Sequence, residues 1–188
     1  CRGQSHEDDS VVLFTSGSEG IPKGVILTHS NIVANRAQIQ TLIALTHKDI
    51  VLNVLPMFHA FGLLGGTLMP LLDGAKIVCY PSPLHYRVIP ELSYQLGATC
   101  LFGTNTFLAG YAKHGHPYDF HKIRFVIAGA EKLTEETRRI WSDKFGIRIY
   151  EGYGATEASP VVAVNTPMGN KPESVGQLLA MMDYRLEP

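Results

Sequence analysis

Short apolar runs alternate with amphipathic stretches along most of the chain. Short apolar runs bounded by turn residues predict buried strands, and apolar residues spaced three or four apart predict helices. The predicted strands are SVVLFTS (10–16), DIVLNVLP (49–56), AKIVCYP (75–81), ATCLFGT (98–104), IRFVIAGA (123–130) and IRIYEGYG (147–154). The predicted helices are SNIVANRAQIQTLIAL (30–45, with Ser30 as N-cap), FGLLGGTLMPLL (61–72), VIPELSYQLG (88–97), TFLAGYAKHG (106–115) and TEETRRIWSDKFG (134–146).

This alternation predicts an α/β fold, a mostly parallel sheet with helices on both faces. Ligands of such sheets bind beyond the carboxyl ends of the strands. The segments that follow predicted strands are TSGSEG (15–20), PMFHAFG (56–62), FGTNT (102–106), AGAEK (128–132) and EGYGATE (151–157). All five are rich in Gly, Thr, His or Glu, so we expect them to converge on one rim of the sheet.

Composition and charge narrow the class of protein. The net charge of −1 and pI near 6.8, with no basic block, give no reason to expect a nucleic-acid partner. Three cysteines do not make a disulfide framework and suit a reducing cytosol. The most apolar window, residues 60–72, is too short to span a bilayer, and no signal peptide is recognised. The 188 residues are expected to be a single fragment of a larger protein.

The stretch FTSGSEGIPKG, residues 14–24, has the chemistry of a phosphate-binding loop. Its glycines allow close backbone approach, its hydroxyl groups donate hydrogen bonds, and Lys23 supplies a cation. It does not follow the Walker pattern, because Lys23 precedes Gly24 and no hydroxyl residue follows in the required place. Taken alone, a Gly/Ser stretch of this kind is more often a connecting turn.

A second candidate is EGYGATEASP, residues 151–160. Tyr153 offers a flat face for a purine, Thr156 a hydroxyl for a phosphate, and Glu157 a hard oxygen ligand for Mg²⁺. The alternative is an exposed loop with a solvated glutamate. Likewise His59 is either a site residue or a core histidine with satisfied hydrogen bonds.

These motifs, in the order FTSGSEGIPKG, FHAFG and GYGATE, resemble the adenylate-forming superfamily of acyl-CoA synthetases, luciferases and peptide-synthetase adenylation domains. The loop departs from the family pattern at Glu19, where Thr is usual. YPSPLHYRVIPEL, LFGTNTFLAGYA, AGAEKL and WSDKFG further resemble the synthetase part of bacterial bifunctional 2-acylglycerophosphoethanolamine acyltransferase/acyl-[acyl-carrier-protein] synthetases, a branch for which Glu19 looks typical. The resemblance covers the middle of the family's large N-terminal region.

The resemblance implies ATP-dependent activation of a carboxylate as acyl-adenylate, followed by acyl transfer to a thiol. It assigns ATP binding to the loop, with Lys23 also catalytic, and to segments near the last two predicted strands: Thr15, Ser16, Gly17, Ser18, Glu19, Gly20, Lys23, Gly129, Ala130, Glu131, Glu151, Gly152, Tyr153, Gly154 and Thr156. Thr156 would contact the α-phosphate and Glu157 would bind Mg²⁺, both as catalytic residues. The acyl carboxylate and its tunnel would be bordered by catalytic His59 and by Phe61, Gly62, Gly103 and Thr104.

The implied cofactors are ATP and Mg²⁺, and the implied partners are a fatty acid and acyl-carrier protein or CoA. A lysophospholipid would be handled through another domain, and a C-terminal lid domain is missing from these residues. The implied location is cytoplasmic, with association of the whole protein with the bacterial inner membrane left open. Two alternatives remain: another carboxylate-adenylating ligase such as an acyl-CoA synthetase, and a non-catalytic nucleotide-binding or interaction module.

Overall fold

The computed structural model describes residue 3 and residues 5–16 and 21–185. In these residues the chain forms a two-stranded hairpin and a seven-stranded sheet. The hairpin pairs β1 (Asp9–Ser16) with β2 (Pro22–Thr28) in antiparallel register. The sheet contains β3 (Ile50–Asn53), β4 (Lys76–Cys79), β5 (Cys100–Gly103), β6 (Phe125–Ala128), β7 (Ile149–Gly154), β8 (Val161–Val164) and β9 (Gln177–Leu178).

The strand order in the sheet is β4-β3-β5-β6-β7-β8-β9. The pairings from β4 to β7 are parallel, and the last two strands add antiparallel pairings. The helices are α1 (His29–Gln40), α2 (Met69–Leu72), α3 (Val88–Leu96), α4 (Asn105–His114) and α5 (Glu135–Phe145). A π-helical segment, Phe61–Leu68, runs directly into α2, and a 3₁₀ turn covers Thr156–Ala158.

Alternate residues of the strands enter two different cores. Leu52, Leu101 and Val126 join the core that includes residues of α3, α4 and α5. Their neighbours Val51 and Cys100 belong to a second core, against which Phe61 packs. Both faces of the sheet are therefore covered, as a two-residue side-chain period requires of a buried parallel strand. The predicted α/β class with a mostly parallel sheet is confirmed.

The first predicted strand lies in the two-stranded hairpin and not in the seven-stranded sheet. The sequence pattern did not indicate this separation. Residues 22–28 form a second strand that pairs with the first, so the next element of the chain after β1 is a strand and not a helix. The inner side of the hairpin, Leu13 and Leu27, packs with Leu64 of the π-helical segment. The hairpin thus rests on the same helical segment that follows the FHAFG motif.

The start of α1, the end of α1 and the last strand of the sheet differ from the expectation. Ser30 is not the N-cap of α1: Thr28 Oγ1 accepts a hydrogen bond from Asn31 N at 3.3 Å, while Asn31 Oδ1 accepts one from Thr28 N at 2.9 Å. This reciprocal capping box begins the helix two residues earlier and leaves the Ser30 hydroxyl to bond Glu7. The helix ends at Gln40 and not at residue 45. Residues 147–154 are not the last strand, because β8 and β9 follow.

Buried Asn53 anchors the π-helical segment to the end of β3. Its Nδ2 donates to Gly62 O at 3.1 Å and to Thr67 Oγ1 at 2.8 Å, and its Oδ1 accepts from Leu55 N at 3.1 Å. A Cβ on Gly66 would lie 2.5 Å from Asn53 Oδ1, so only glycine allows the helix to approach this closely. π-Helical turns are rare and concentrate at functional sites.

Candidate active site

Two neighbouring cavities meet near the carboxyl ends of the parallel strands. The larger has a volume of about 330 Å³ and lies between the sheet and the helices α1 and Phe61–Leu68. The smaller, about 160 Å³, lies between the end of the hairpin and the 3₁₀ turn. His59, Ala60 and Thr156 line both cavities. These three residues therefore mark where the contents of the two cavities would meet.

The larger cavity has apolar walls. One wall is the sheet, with Cys100, Phe102 and Ile127 facing it, and the other includes Ile39 and Ile43, which lie on and just after α1. Burial raises the pKa of the Cys100 thiol to about 12, so the thiol is neutral in this setting. A cavity of this volume with a few polar groups at one end suits a small organic ligand with an apolar body.

Backbone segments after β6 and within β7 form one mouth of this cavity. Gly129 and Ala130 line it together with residues 152–156. Ala130 has a φ of +65°, an unusual conformation for a residue with a side chain and one found often at functional sites. Tyr153 is 54% exposed, which leaves a ring face available to a ligand. A Cβ on Gly154 would lie 2.4 Å from Pro160 O, so the tight loop that carries Thr156 needs glycine there.

The smaller cavity has two hydroxyl residues on its hairpin side, next to Leu13 and Phe14. Thr15 and Ser16, the last residues of β1, line it. Lys23 pairs with Thr15 across the hairpin, and directly paired residues share a face of a two-stranded sheet. The structure therefore brings Thr15 and Ser16 to the same cavity as Thr156, with Lys23 on the strand next to Thr15. The remaining predicted loop residues, Gly17, Ser18, Glu19 and Gly20, lie outside the described residues.

His59 is exposed and stands at the start of the helical segment. Its Nδ1 accepts a hydrogen bond from Phe61 N at 3.1 Å, which assigns the ring proton of the neutral imidazole to Nε2. The core-histidine alternative does not hold, because the ring lines the junction of the two cavities. In this position the imidazole has an N–H to offer to an anionic ligand.

Glu157 lies exposed in the first position after Thr156 in the 3₁₀ turn. In the part of the chain that the structure describes, no group of three or more His, Cys, Asp or Glu side chains could hold a metal by itself. Mg²⁺ at nucleotide sites is commonly bound by one or two carboxylates, substrate phosphates and water. Glu157 is in the lining of neither cavity but follows Thr156, which lines both, so a single carboxylate here fits Mg²⁺ that arrives with ATP.

Two other predicted nucleotide-site glutamates already have protein partners. Glu151 Oε2 accepts a hydrogen bond from Arg138 Nη2 at 2.7 Å, and both side chains are mostly buried. Burial disfavours the Arg138 cation, but its bonds to Glu151 and Glu135 outweigh this and raise the Arg138 pKa. Glu131 Oε2 accepts bonds from the backbone and hydroxyl of Thr106, in the first turn of α4.

Three residues predicted for the acyl pocket lie beside the larger cavity and not on its described lining. Gly62 offers its carbonyl to Asn53 and Thr67. Gly103 ends β5, where an added Cβ would lie 3.0 Å from Leu108, and Thr104 is the N-cap of α4. Phe61 and His59, by contrast, line the cavity. The roles of all five residues in acid binding stay predictions.

Sequence reasoning missed Arg36 and Asp73, which also line the larger cavity. They form an ion pair with a shortest distance of 2.6 Å. No local signal connects two residues on different elements 37 positions apart in the chain.

Within the described ranges, no helix has the length and apolar character needed to cross a membrane.

Comparison with known proteins places this geometry in a family. A family of AMP-binding enzymes matches residues 2–187. Over 164 residues the chain is 34% identical to the medium-chain fatty-acid–CoA ligase of Escherichia coli (strain K12), a match that covers 86% of this chain and 29% of that protein. The long-chain-fatty-acid–CoA ligase of Bacillus subtilis (strain 168) is 32% identical over 176 residues, covering 90% of this chain and 31% of the relative.

Solved structures give the same result. ATP-bound MatB from Rhodopseudomonas palustris matches with a TM-score of 0.83 at 27% identity, covering 94% of this chain and 35% of that one. The chain spans about a third of the length of the relatives that it matches. The predicted resemblance to adenylate-forming enzymes is confirmed: the chain belongs to the family of AMP-binding enzymes.

Proposed function

We propose that this chain forms the acid- and nucleotide-binding part of an enzyme that activates a fatty acid with ATP. The observation that carries the proposal is the junction of two unlike cavities at His59, Ala60 and Thr156. An apolar cavity suits a hydrocarbon chain, and a cavity lined by hydroxyl groups near a lysine suits phosphates. A carboxylate at the end of the chain would then face the α-phosphate at the junction.

In the proposed reaction a carboxylate oxygen attacks the α-phosphorus of ATP, and the bond from that phosphorus to the bridging oxygen breaks. The products are acyl-adenylate and pyrophosphate. Thr15, Ser16 and Lys23 would hold the departing phosphates, while Thr156 would orient the α-phosphate. Mg²⁺ bound with ATP through Glu157 would neutralise phosphate charge. Donors placed before the reaction stabilise charge as it develops.

His59 would lie beside the carboxylate, where its Nε2–H can donate a hydrogen bond. The side chain of Tyr153 would cover the adenine. A thiol would then attack the acyl carbonyl carbon, giving a thioester and AMP. The remainder of the enzyme, including a small C-terminal domain, would complete the site; the coverage of about a third of the relatives supports this division.

The acceptor is proposed to be acyl-carrier protein, on the similarity of residues 80–92, 101–112, 128–133 and 141–146 to the synthetase part of the bifunctional branch. In that case a separate domain would transfer the acyl group to a lysophospholipid at the bacterial inner membrane. The second candidate acceptor is CoA, which the names of the fatty-acid–CoA ligase relatives favour.

Acid-dependent exchange of labelled pyrophosphate into ATP by the full-length protein tests the adenylation step. We expect exchange that requires both a fatty acid and Mg²⁺. Absence of exchange with every acid in a panel of chain lengths would reject the proposal and favour a nucleotide-binding module without catalysis. Thioester formation with purified acyl-carrier protein and with CoA, measured side by side, then identifies the acceptor.

A further inference from the structure

The larger cavity runs along one face of the helical segment that begins at Phe61 and ends in α2. From this segment and the residue that follows it, the lining takes Phe61, Gly65, Met69, Pro70 and Asp73. All of these except Pro70 are spaced by four residues, which places them on one helix face. The eight π-helical residues and the four residues of α2 together are at most about 18 Å long. The catalytic junction at His59 adjoins the start of this face, and Asp73 lies at its end.

The positions of the strands also show that the larger cavity extends from the junction toward Asp73. The junction lies at the carboxyl ends of the parallel strands, where β6 ends at Ala128. Asp73 precedes β4, which begins at Lys76, so Asp73 lies at the amino edge of the sheet. Cys100 and Phe125, the first residues of β5 and β6, line the cavity between these limits. The cavity therefore extends from the carboxyl edge of the sheet to its amino edge.

A paired charge stands at the far end. Arg36 Nε and Nη2 both lie close to Asp73 Oδ1, at 2.6 Å, and Arg36 Nη2 also donates to Leu72 O at 3.3 Å. The Asp73 side chain is only 6% exposed and that of Arg36 26% exposed. Because each partner neutralises the other, this end attracts neither an acidic nor a basic terminal group. It ends an otherwise apolar cavity with groups that resist losing their hydrogen bonds.

From this arrangement we infer that the Arg36–Asp73 pair is the floor of the acyl-binding cavity and sets the maximum length of a straight, unsubstituted acyl chain. The inference rests on the proposed function. Each methylene that fits inside the cavity raises affinity about fourfold. A chain that reaches past the floor must separate a mostly buried ion pair, and a carboxylate left there without its partner is strongly unfavourable. We therefore expect kcat/KM to fall sharply for acids long enough to reach the Arg36–Asp73 pair.

The test measures kcat/KM for pyrophosphate exchange by the full-length protein with straight-chain saturated acids of increasing length. The double variant Arg36→Met/Asp73→Leu replaces the pair by apolar side chains without leaving an unpaired charge. We expect the ratio of kcat/KM for acids beyond the wild-type limit to that for acids below it to rise about fourfold for each methylene that the variant newly admits. Arg36→Lys is the control, because it keeps the charge pair and should keep the wild-type ratio.

A folded double variant with the wild-type chain-length limit would overturn the inference while leaving the proposed function intact. Loss of exchange with every acid in the wild-type protein would instead reject the proposed function. A second measurement uses the wild-type protein and a fatty acid of limiting length with a photoreactive diazirine at its terminal carbon. Cross-links at Asp73 or at residues in contact with it support the floor; cross-links confined to residues at the junction overturn it.

Discussion

The hydrogen bonds of Asn53 give a quantitative test of how the helical segment beside the junction is held. Asn53→Ala removes two donated bonds, to Gly62 O and Thr67 Oγ1, and leaves the backbone N–H of Leu55 without its acceptor. Each lost bond contributes about 1 kcal/mol and a buried donor without a partner costs about 1–3 kcal/mol. We expect the free energy of unfolding to fall by roughly 3–5 kcal/mol.

Ser93 provides a matched control. It is as buried as Asn53, at 2% exposed, but among the described residues its hydroxyl has no hydrogen-bond partner. Ser93→Ala therefore removes a buried polar atom and no bond, so its effect should lie within about 0.5 kcal/mol of zero or be stabilising. The pair of variants separates loss of hydrogen bonds from loss of buried polarity.

Equilibrium urea unfolding, followed by fluorescence, measures both changes. Trp141, the single tryptophan of the chain, is fully buried in the main core and reports its exposure. The slope of the free energy of unfolding against urea concentration should be unchanged, because the surface exposed on unfolding is the same. In the full-length protein, Asn53→Ala should also raise the KM for the acid, because the segment carries Phe61 into the cavity. An effect of Asn53→Ala no larger than that of Ser93→Ala would refute the anchoring role.

Four further outcomes follow from the structure. Glu157→Gln in the full-length protein should abolish pyrophosphate exchange with an unchanged unfolding midpoint; unchanged exchange would refute the metal role. Glu151→Gln should lower the free energy of unfolding by about 1–3 kcal/mol, since it weakens a mostly buried bond to Arg138. Calorimetry should show an unaltered affinity for Mg·ATP, and a large loss of affinity would instead support the predicted role of Glu151 in nucleotide binding. Burial opposes ionisation of Asp49, but hydrogen bonds from Thr46 and Thr99 and the nearby Arg124 cation hold its pKa below the usual range of an aspartate. The ionised side chain therefore stabilises the fold above the unfolded-state pKa of about 3.9, and this stabilisation is lost as pH falls through the lower folded-state pKa; urea unfolding of Asp49→Asn should show a smaller loss of stability on acidification than the wild type. The thiol of Cys100, buried and with a pKa of about 12, should resist maleimide labelling at neutral pH until urea unfolds the chain, and mass spectrometry that finds it labelled in the native protein would contradict the apolar wall.

The alternation of apolar runs and amphipathic stretches is enough to predict the parallel strands and the helices that cover them. Buried parallel strands such as Ile50–Asn53 and Phe125–Ala128 are marked by continuous apolar runs, which depend little on the rest of the chain. The sequence pattern does not predict the hairpin partner Pro22–Thr28, because its proline and glycine are typical of turns and not of strands. The π-helical form of Phe61–Leu68 depends on a side chain from another element, Asn53, and has no periodicity of its own to reveal it.

The candidate site shows the same division. Thr15 lies at the end of β1, and His59 and Thr156 follow β3 and β7; the fold brings them together because those strand ends share one region. Glu151 belongs to the same motif as Tyr153, but its carboxylate bonds Arg138 of α5. Motif membership therefore does not show the face of the strand on which a residue lies. The Arg36–Asp73 pair could not be predicted because its two members meet only through the packing of α1 against the end of α2.

A crystal structure of the full-length protein with a stable acyl-adenylate analogue, a fatty acyl group joined to adenosine through a sulfamate, tests the central claim most directly. We expect the acyl chain to fill the cavity between α1 and the strands. The sulfamate should then lie between His59 and Thr156, with the adenine near Tyr153. An acyl chain bound outside that cavity, or a sulfamate distant from His59 and Thr156, would contradict the account.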